Sequence, residues 1–162
     1  MIFTTGDIAE YRDSQKDAEN PLDLVITLHA CDTATDYALA YAVEHKSKGI
    51  LSVPCCQHEI NSQLKKQCSE PSLNALLKHG IVKERFSALA TDVLRVEALE
   101  SMGYKTQLLE FIDMENTPKN LMIRGIRKEF STSYTHALSD DGKSLKSTLN
   151  VNQTLLSLLN LE

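Results

Sequence analysis

The sequence predicts an α/β fold in which parallel strands precede an antiparallel carboxyl-terminal hairpin. Three observations carry this reading. "DLVITLHA" and "ILSVPC" are short, nearly continuous apolar runs, the pattern of strands buried on both faces. Between them "TDYALAYAVEH" is alanine-rich with apolar residues at helical spacing, so the unit reads strand, helix, strand with a parallel pair and a right-handed crossover. Near the end, "YKTQLLEFI" and "KNLMIRGIRK" are strand-like runs joined by "DMENTP", which predicts a hairpin.

The remaining elements follow in order. "MIFTTGDI" is β-rich at Ile2, Phe3, Thr4 and Thr5 and closes at Gly6-Asp7, so it reads as a strand ending in a turn. Residues 11–21 are polar and end at Asn20-Pro21, a loop with room for a helical turn. Asp32 or Thr33 caps the central helix, which runs to about His45 and stops at Lys48-Gly49. Ser69-Glu70-Pro71 opens a helical stretch to Met102, divided at Gly80 and ended by Gly103. The tail from Lys143 to Asn160 ends in "TLLSLLN", a short helix docked by its leucines. Leu161-Glu162 reads either as native or as a cloning remnant and stands outside the fold argument.

The 162 residues suffice for one domain with a sizeable core, and 42% apolar with 24% charged residues is ordinary for a globular protein. No apolar run approaches the ~18 residues of a membrane span, and "MIFTTGDIAEY" lacks the pattern of a signal peptide. Four cysteines without a secretion signal predict free thiols in the cytoplasm. A net charge of -5 supplies no bulk electrostatic grip on nucleic acid. Arg124, Arg127 and Lys128 read as a solvated face.

Both parallel strands end in chemically rich loops, "LHACD" and "VPCCQH". In a parallel sheet ligands bind at the carboxyl ends of the strands, so His29, Cys31, Asp32, Cys55, Cys56 and Gln57 should share one rim. A zinc site on His29, Cys31, Cys55 and Cys56 is disfavoured by spacing, because adjacent cysteines usually diverge; no metal is expected. A Cys55 or Cys56 nucleophile beside His29 would need a cation or helix terminus to make the thiolate, and small buried hydrophobes are the blander role. In a pocket rim, Asp32 and Gln57 orient a substrate and His29 takes a proton, against the alternative of a hydrogen-bonded structural histidine. His45, His79, His136 and His58 read as solvated, and Cys68 as incidental.

"LHACDTATD" and "VPCCQHEIN" together resemble the class I S-adenosylmethionine-dependent methyltransferases whose motifs read HACG/D and PCCxQ. These include the methyltransferase-like 25 proteins, the methyltransferase domain of a glutathione transferase C-terminal-domain protein, and bacterial homologues described as RNA methyltransferases. The resemblance covers about residues 1–130, and the pairing is more specific than either motif alone. It implies a Rossmann-like methyltransferase sheet whose last strand inserts antiparallel, with "FTTGDI" as the family's third strand and the two motif strands as its fourth and fifth. It also implies S-adenosylmethionine as cofactor and RNA as acceptor, with protein as the second choice. By position it assigns Asp7, Ile8, His29 and Ala30 to the cofactor and His29, Asp32, Cys55, Cys56 and Gln57 to catalysis.

The chain departs from the family in one respect. Its six glycines, at 6, 49, 80, 103, 125 and 142, form no G-x-G pattern. Residues 1–162 are therefore expected to be the carboxyl-terminal part of such a domain, without its first two strands and glycine-rich loop, and inactive alone although the parent is an enzyme. The family's fourth strand would then have a bare edge, to be covered either by "MIFTTGDI" or by a second chain, and of the two a homodimer is expected. The competing readings are a non-catalytic α/β binding or oligomerisation domain and a thiol or zinc module.

Overall fold

The structure, a computed structural model, describes residues 3, 5–14, 22–64, 70–113, 115, 120–128 and 136–161. Four strands form one sheet: β1 (Leu24–Leu28), β2 (Gly49–Val53), β3 (Tyr104–Glu110) and β4 (Leu121–Arg127), in the spatial order β1-β2-β4-β3. β1 and β2 are parallel, Leu24 opposite Gly49 through Leu28 opposite Val53. β4 lies antiparallel between β2 and β3, with Ile50 opposite Gly125 and Thr106 opposite the same glycine. This is the expected mixed α/β sheet of a partial Rossmann-like methyltransferase fold, with the last strand reversed and inserted.

The helices are α1 (Ile8–Ser14), α2 (Thr33–Glu44), α3 (His58–Gln63), α4 (Asn74–Leu77), α5 (Gly80–Ser101), α6 (Asp140–Leu149) and α7 (Thr154–Leu158). The apolar stripes of α2, α5 and α7 meet the sheet on one side. Leu39, Ala40 and Ala42 of α2, Ala98 and Leu99 of α5, and Leu155 and Leu156 of α7 pack with Ile50, Tyr104 and Ile123. A second cluster joins Ile60 of α3, Leu77, Ala90 and Leu94 to Leu149 and Val151. Gly103, at φ 87, makes the left-handed turn that returns the chain from α5 to β3. Tyr104 then donates its hydroxyl to the Ser47 carbonyl at 2.8 Å, tying β3 to the turn before β2.

Several expectations need correction. β1 is not buried on both faces: Leu24, Ile26 and Leu28 are 49%, 56% and 66% exposed. Across the sheet the same row runs through half-buried Leu51 to exposed Arg124 and Gln107, so this part of the face is open among the described residues, while Val53 beside Leu28 is buried. Around "MIFTTGDI", Met1, Ile2 and Thr4 lie outside the described residues, while Phe3 and Thr5 belong to no strand and Ile8 begins α1. The Asp7 carboxylate accepts from the Ala9 amide at 2.7 Å and starts a helix directly after the Gly6-Asp7 turn, running into the stretch read as a loop with room for a helical turn. Asn20, Pro21, Cys68 and Ser69 lie outside the described residues.

The helical stretch is a 3₁₀ turn at Pro71–Leu73, then α4 and α5, with the break at Lys78 and His79 and Gly80 opening α5. The tail carries two helices, not one: Ser139 caps α6 by accepting from the Gly142 amide, and Asn150 closes it in a left-handed conformation. Leu161 is 3% exposed within the core and belongs to the fold. No helix among the described residues is long and apolar enough to cross a membrane.

The two faces of the sheet give opposite mutational outcomes. Leu99→Ala should lower the unfolding free energy in urea by about 2–5 kcal/mol, whereas Ile26→Thr, which keeps β-branching on the uncovered face, should change it by less than about 1 kcal/mol.

Candidate functional site

The loops after β1 and β2 meet, as the topology requires. The Asp32 amide donates to the Cys56 carbonyl at 3.1 Å. The Asp32 carboxylate reaches across the gap: Oδ1 accepts from the backbone amides of His58 at 2.9 Å and Glu59 at 3.0 Å. Asp32 stands at the N-cap position of α2 but makes no side-chain cap there. It caps α3 instead, and so fastens one motif loop to the other. The turn that permits this is left-handed at two non-glycine residues, His29 at φ 55 and Asp32 at φ 52. Such conformations cost about 1–3 kcal/mol each unless their surroundings hold them. Thr35 does so by donating its hydroxyl to the Ala30 carbonyl.

Arg95 supports the whole arrangement from within. It is fully buried, and its guanidinium donates to Asp36 Oδ1 at 2.7 Å, Asp92 Oδ1 at 2.9 Å and the Asp32 carbonyl at 2.9 Å. Asp92 Oδ2 in turn accepts from Gln57 Nε2 at 3.1 Å. One cation therefore links α2, α5 and both strand-end loops. Burial pushes the Asp36 carboxyl up to about 6, against the pull of Arg95. Burial alone would lower the Arg95 guanidinium, but Asp36 and Asp92 outweigh it and hold it above its ordinary value. The pair is thus ionic at neutral pH.

Each anticipated residue has a definite place. His29 is exposed on the left-handed turn and Asp7 is exposed at the head of α1, with Ile8 as the first residue of that helix. Ala30 is half-buried, its carbonyl held by Thr35. Gln57 is buried and bonded to Asp92; its Oε1 is buried without a partner among the described residues. Cys31, Cys55 and Cys56 are free thiols that converge. The Sγ atoms of Cys31 and Cys55 are 3.3 Å apart and those of Cys55 and Cys56 3.6 Å. The adjacent cysteines do not diverge as their spacing suggested. Burial first, then contact with Cys31 and Cys56, pushes the Cys55 thiol up to about 12, so this thiol is protonated at neutral pH.

Beside the rim lies a cleft of about 330 Å³ lined by Pro54, Gln57, Ile81, Leu89, Asp92 and Leu121, with Glu84 and Arg85 among its further walls. It opens between the end of β2, the start of β4 and one face of α5, so Gln57 belongs to both the rim and the cleft.

Residues 1–63 match the family model described as a methyltransferase domain. The matched span contains α1, β1, α2, β2 and α3, and with them both motif loops. It supports a methyltransferase domain and leaves the acceptor open. Neither a search of curated proteins nor one of solved structures found a match to the chain.

Asp36, Asp92 and Arg95 escape a reading of the sequence because single charged residues on helices usually face solvent. Their signal is positional: Asp92, Arg95 and Leu99 share one stripe of α5, and Asp36 precedes the buried Ala38, Leu39 and Ala40 of α2.

Replacing Arg95 by Met should cost about 3–5 kcal/mol in urea unfolding, because two buried carboxylates lose their cation. Asp36 adds a pH dependence. Its folded pKa of about 6 lies above the unfolded carboxylate value of about 3.9, so the folded chain binds more protons between about pH 4 and 6. Its contribution to stability is fully present below pH ~4 and is lost as pH rises through ~6. The unfolding free energy of the wild type minus that of Asp36→Asn should accordingly fall by about 3 kcal/mol across that window, and a flat difference would contradict this.

Proposed function

We propose that this chain is the acceptor-side part of an S-adenosylmethionine-dependent methyltransferase domain of the methyltransferase-like 25 and bacterial RNA methyltransferase type, with RNA as the acceptor. The observation that carries the reading is the joining of two motif loops at the carboxyl ends of neighbouring parallel strands, through Asp32, in the segment that matches the methyltransferase model. Ligands of parallel α/β sheets bind at that end.

The residues present fit part of the cofactor. Asp7 and Ile8 would hold the adenine end, and His29 and Ala30 would face the sulfonium end. Among the described glycines only Gly103 has a positive φ, and it serves the turn between α5 and β3, so no glycine cradle for the methionine end is found among the described residues. When bound, the cofactor supplies an electrophilic methyl group. Transfer of that group depends mainly on in-line positioning of the acceptor atom, so a site with few strong acids or bases suffices. The cleft supports an acceptor as large as a nucleobase, with Gln57 in its wall as a hydrogen-bonding side chain and Arg85 as the partner for a phosphate of the acceptor. Exposed His29 takes the proton released by the acceptor. Asp32, engaged by two amides, positions the loops, and half-buried Cys55 and Cys56 line the rim.

Calorimetric titration with S-adenosylmethionine should give weak saturable binding, reduced about tenfold or more by His29→Ala together with Asp7→Ala. Ultraviolet crosslinking to single-stranded RNA should map to peptides lining the cleft. Absence of cofactor binding contradicts the placing of the cofactor on Asp7, Ile8, His29 and Ala30 of this chain; cofactor binding with no RNA crosslink contradicts only the acceptor.

A further inference from the structure

Methyl transfer by this rim requires no group of three thiols, yet the fold builds one. Cys31 comes from the loop after β1, and Cys55 and Cys56 come from the loop after β2. All three Sγ atoms lie within 4.8 Å of one another, with separations of 3.3 Å and 3.6 Å along the chain of contacts. Three zinc-bound thiolates at a Zn–S distance of about 2.3 Å sit about 3.8 Å apart at the corners of a tetrahedron. The observed triangle needs changes of only a few tenths of an ångström along those two contacts to reach that size.

The site is also held in shape by bonds that do not involve sulfur. The Asp32 amide bonds to the Cys56 carbonyl, the Asp32 carboxylate to two amides of α3, the Thr35 hydroxyl to the Ala30 carbonyl, and Arg95 to the Asp32 carbonyl. Left-handed backbone at His29 and Asp32 brackets Cys31. That strained turn is what brings Cys31 to the adjacent pair, and it removes the spacing objection to a shared ion. Exposure of Cys31 provides a path for entry from solvent.

We propose that Cys31, Cys55 and Cys56 form a three-thiolate site for a thiophilic d¹⁰ cation, represented by zinc. On binding, each thiol gives its proton to solvent and a metal–sulfur bond replaces it, while the fourth tetrahedral position is left to water or another donor. The ion clips the carboxyl ends of β1 and β2 together beside the methyl-transfer rim. The inference does not depend on the methyltransferase reading, since neither ligation nor its test involves methyl transfer.

The test uses the whole chain, reduced, stripped by a chelator and then given zinc. Metal content after removal of excess ion should be about one zinc per chain. Alkylation by iodoacetamide, mapped by peptide mass spectrometry, should be about tenfold or more slower at Cys31, Cys55 and Cys56 with zinc than after chelation. Cys31→Ser should weaken zinc binding by about tenfold or more without changing the circular dichroism of the metal-free chain. Failure to retain zinc, equal alkylation in both states, unchanged affinity in Cys31→Ser, or a Cys31–Cys55 disulfide that forms in the presence of zinc and reductant would each overturn the proposal. The alkylation arm needs no variant, so misfolding of a substituted chain does not blunt it.

Discussion

The buried Arg95 guanidinium is the interaction on which the rest of this structure depends. It pairs with Asp36 of α2 and Asp92 of its own helix, and it holds the Asp32 carbonyl at the end of the first motif loop. Burying a cation is costly unless all its donors find partners in good geometry. Here the partners come from the elements whose relative position defines the rim, so satisfying the charge and assembling the rim are one event. Gln57, bonded to the second oxygen of Asp92, extends the same network to the second motif loop and to the wall of the cleft.

From that constraint the local geometry follows. With its carbonyl fixed by Arg95 and its carboxylate fixed by two amides of α3, Asp32 is held in a left-handed conformation that its side chain alone would not choose. His29, three residues earlier, is left exposed at the rim, also at positive φ, and Cys31 between them is carried to the Cys55–Cys56 pair. Strain concentrated in one short turn, and stabilised from several sides, is the usual condition of a loop that serves a function.

Much of this was legible in the sequence. The two motif strands, the helix between them and the terminal hairpin have clear periodicities, and strand-end chemistry follows once the pair is parallel. The reversed insertion of β4 between β2 and β3 followed from resemblance, not from any local pattern. What escaped has physical reasons. A continuous apolar run such as "LVITL" reads the same whether one face or both are covered, and only the register shows Leu24, Ile26 and Leu28 on an open face. α1 was hidden because "IAEYRDS" is short and polar, while the Asp7 cap that starts the helix looks like a turn residue. α6 was hidden by its polar sequence, although Ser139 and the acids after it are a proper helix start. The charged triad of Asp36, Asp92 and Arg95 is invisible to composition because its meaning lies in pairing across 59 residues of chain.

The central claim is that the loops after β1 and β2 act as one ligand-binding rim. Amide-resolved NMR of the isotopically labelled chain during titration with S-adenosylmethionine tests it most directly. Residues 29–32 and 55–59 should shift together, with one common binding curve. Shifts confined to one loop, or concentrated on the uncovered face of β1, would contradict it.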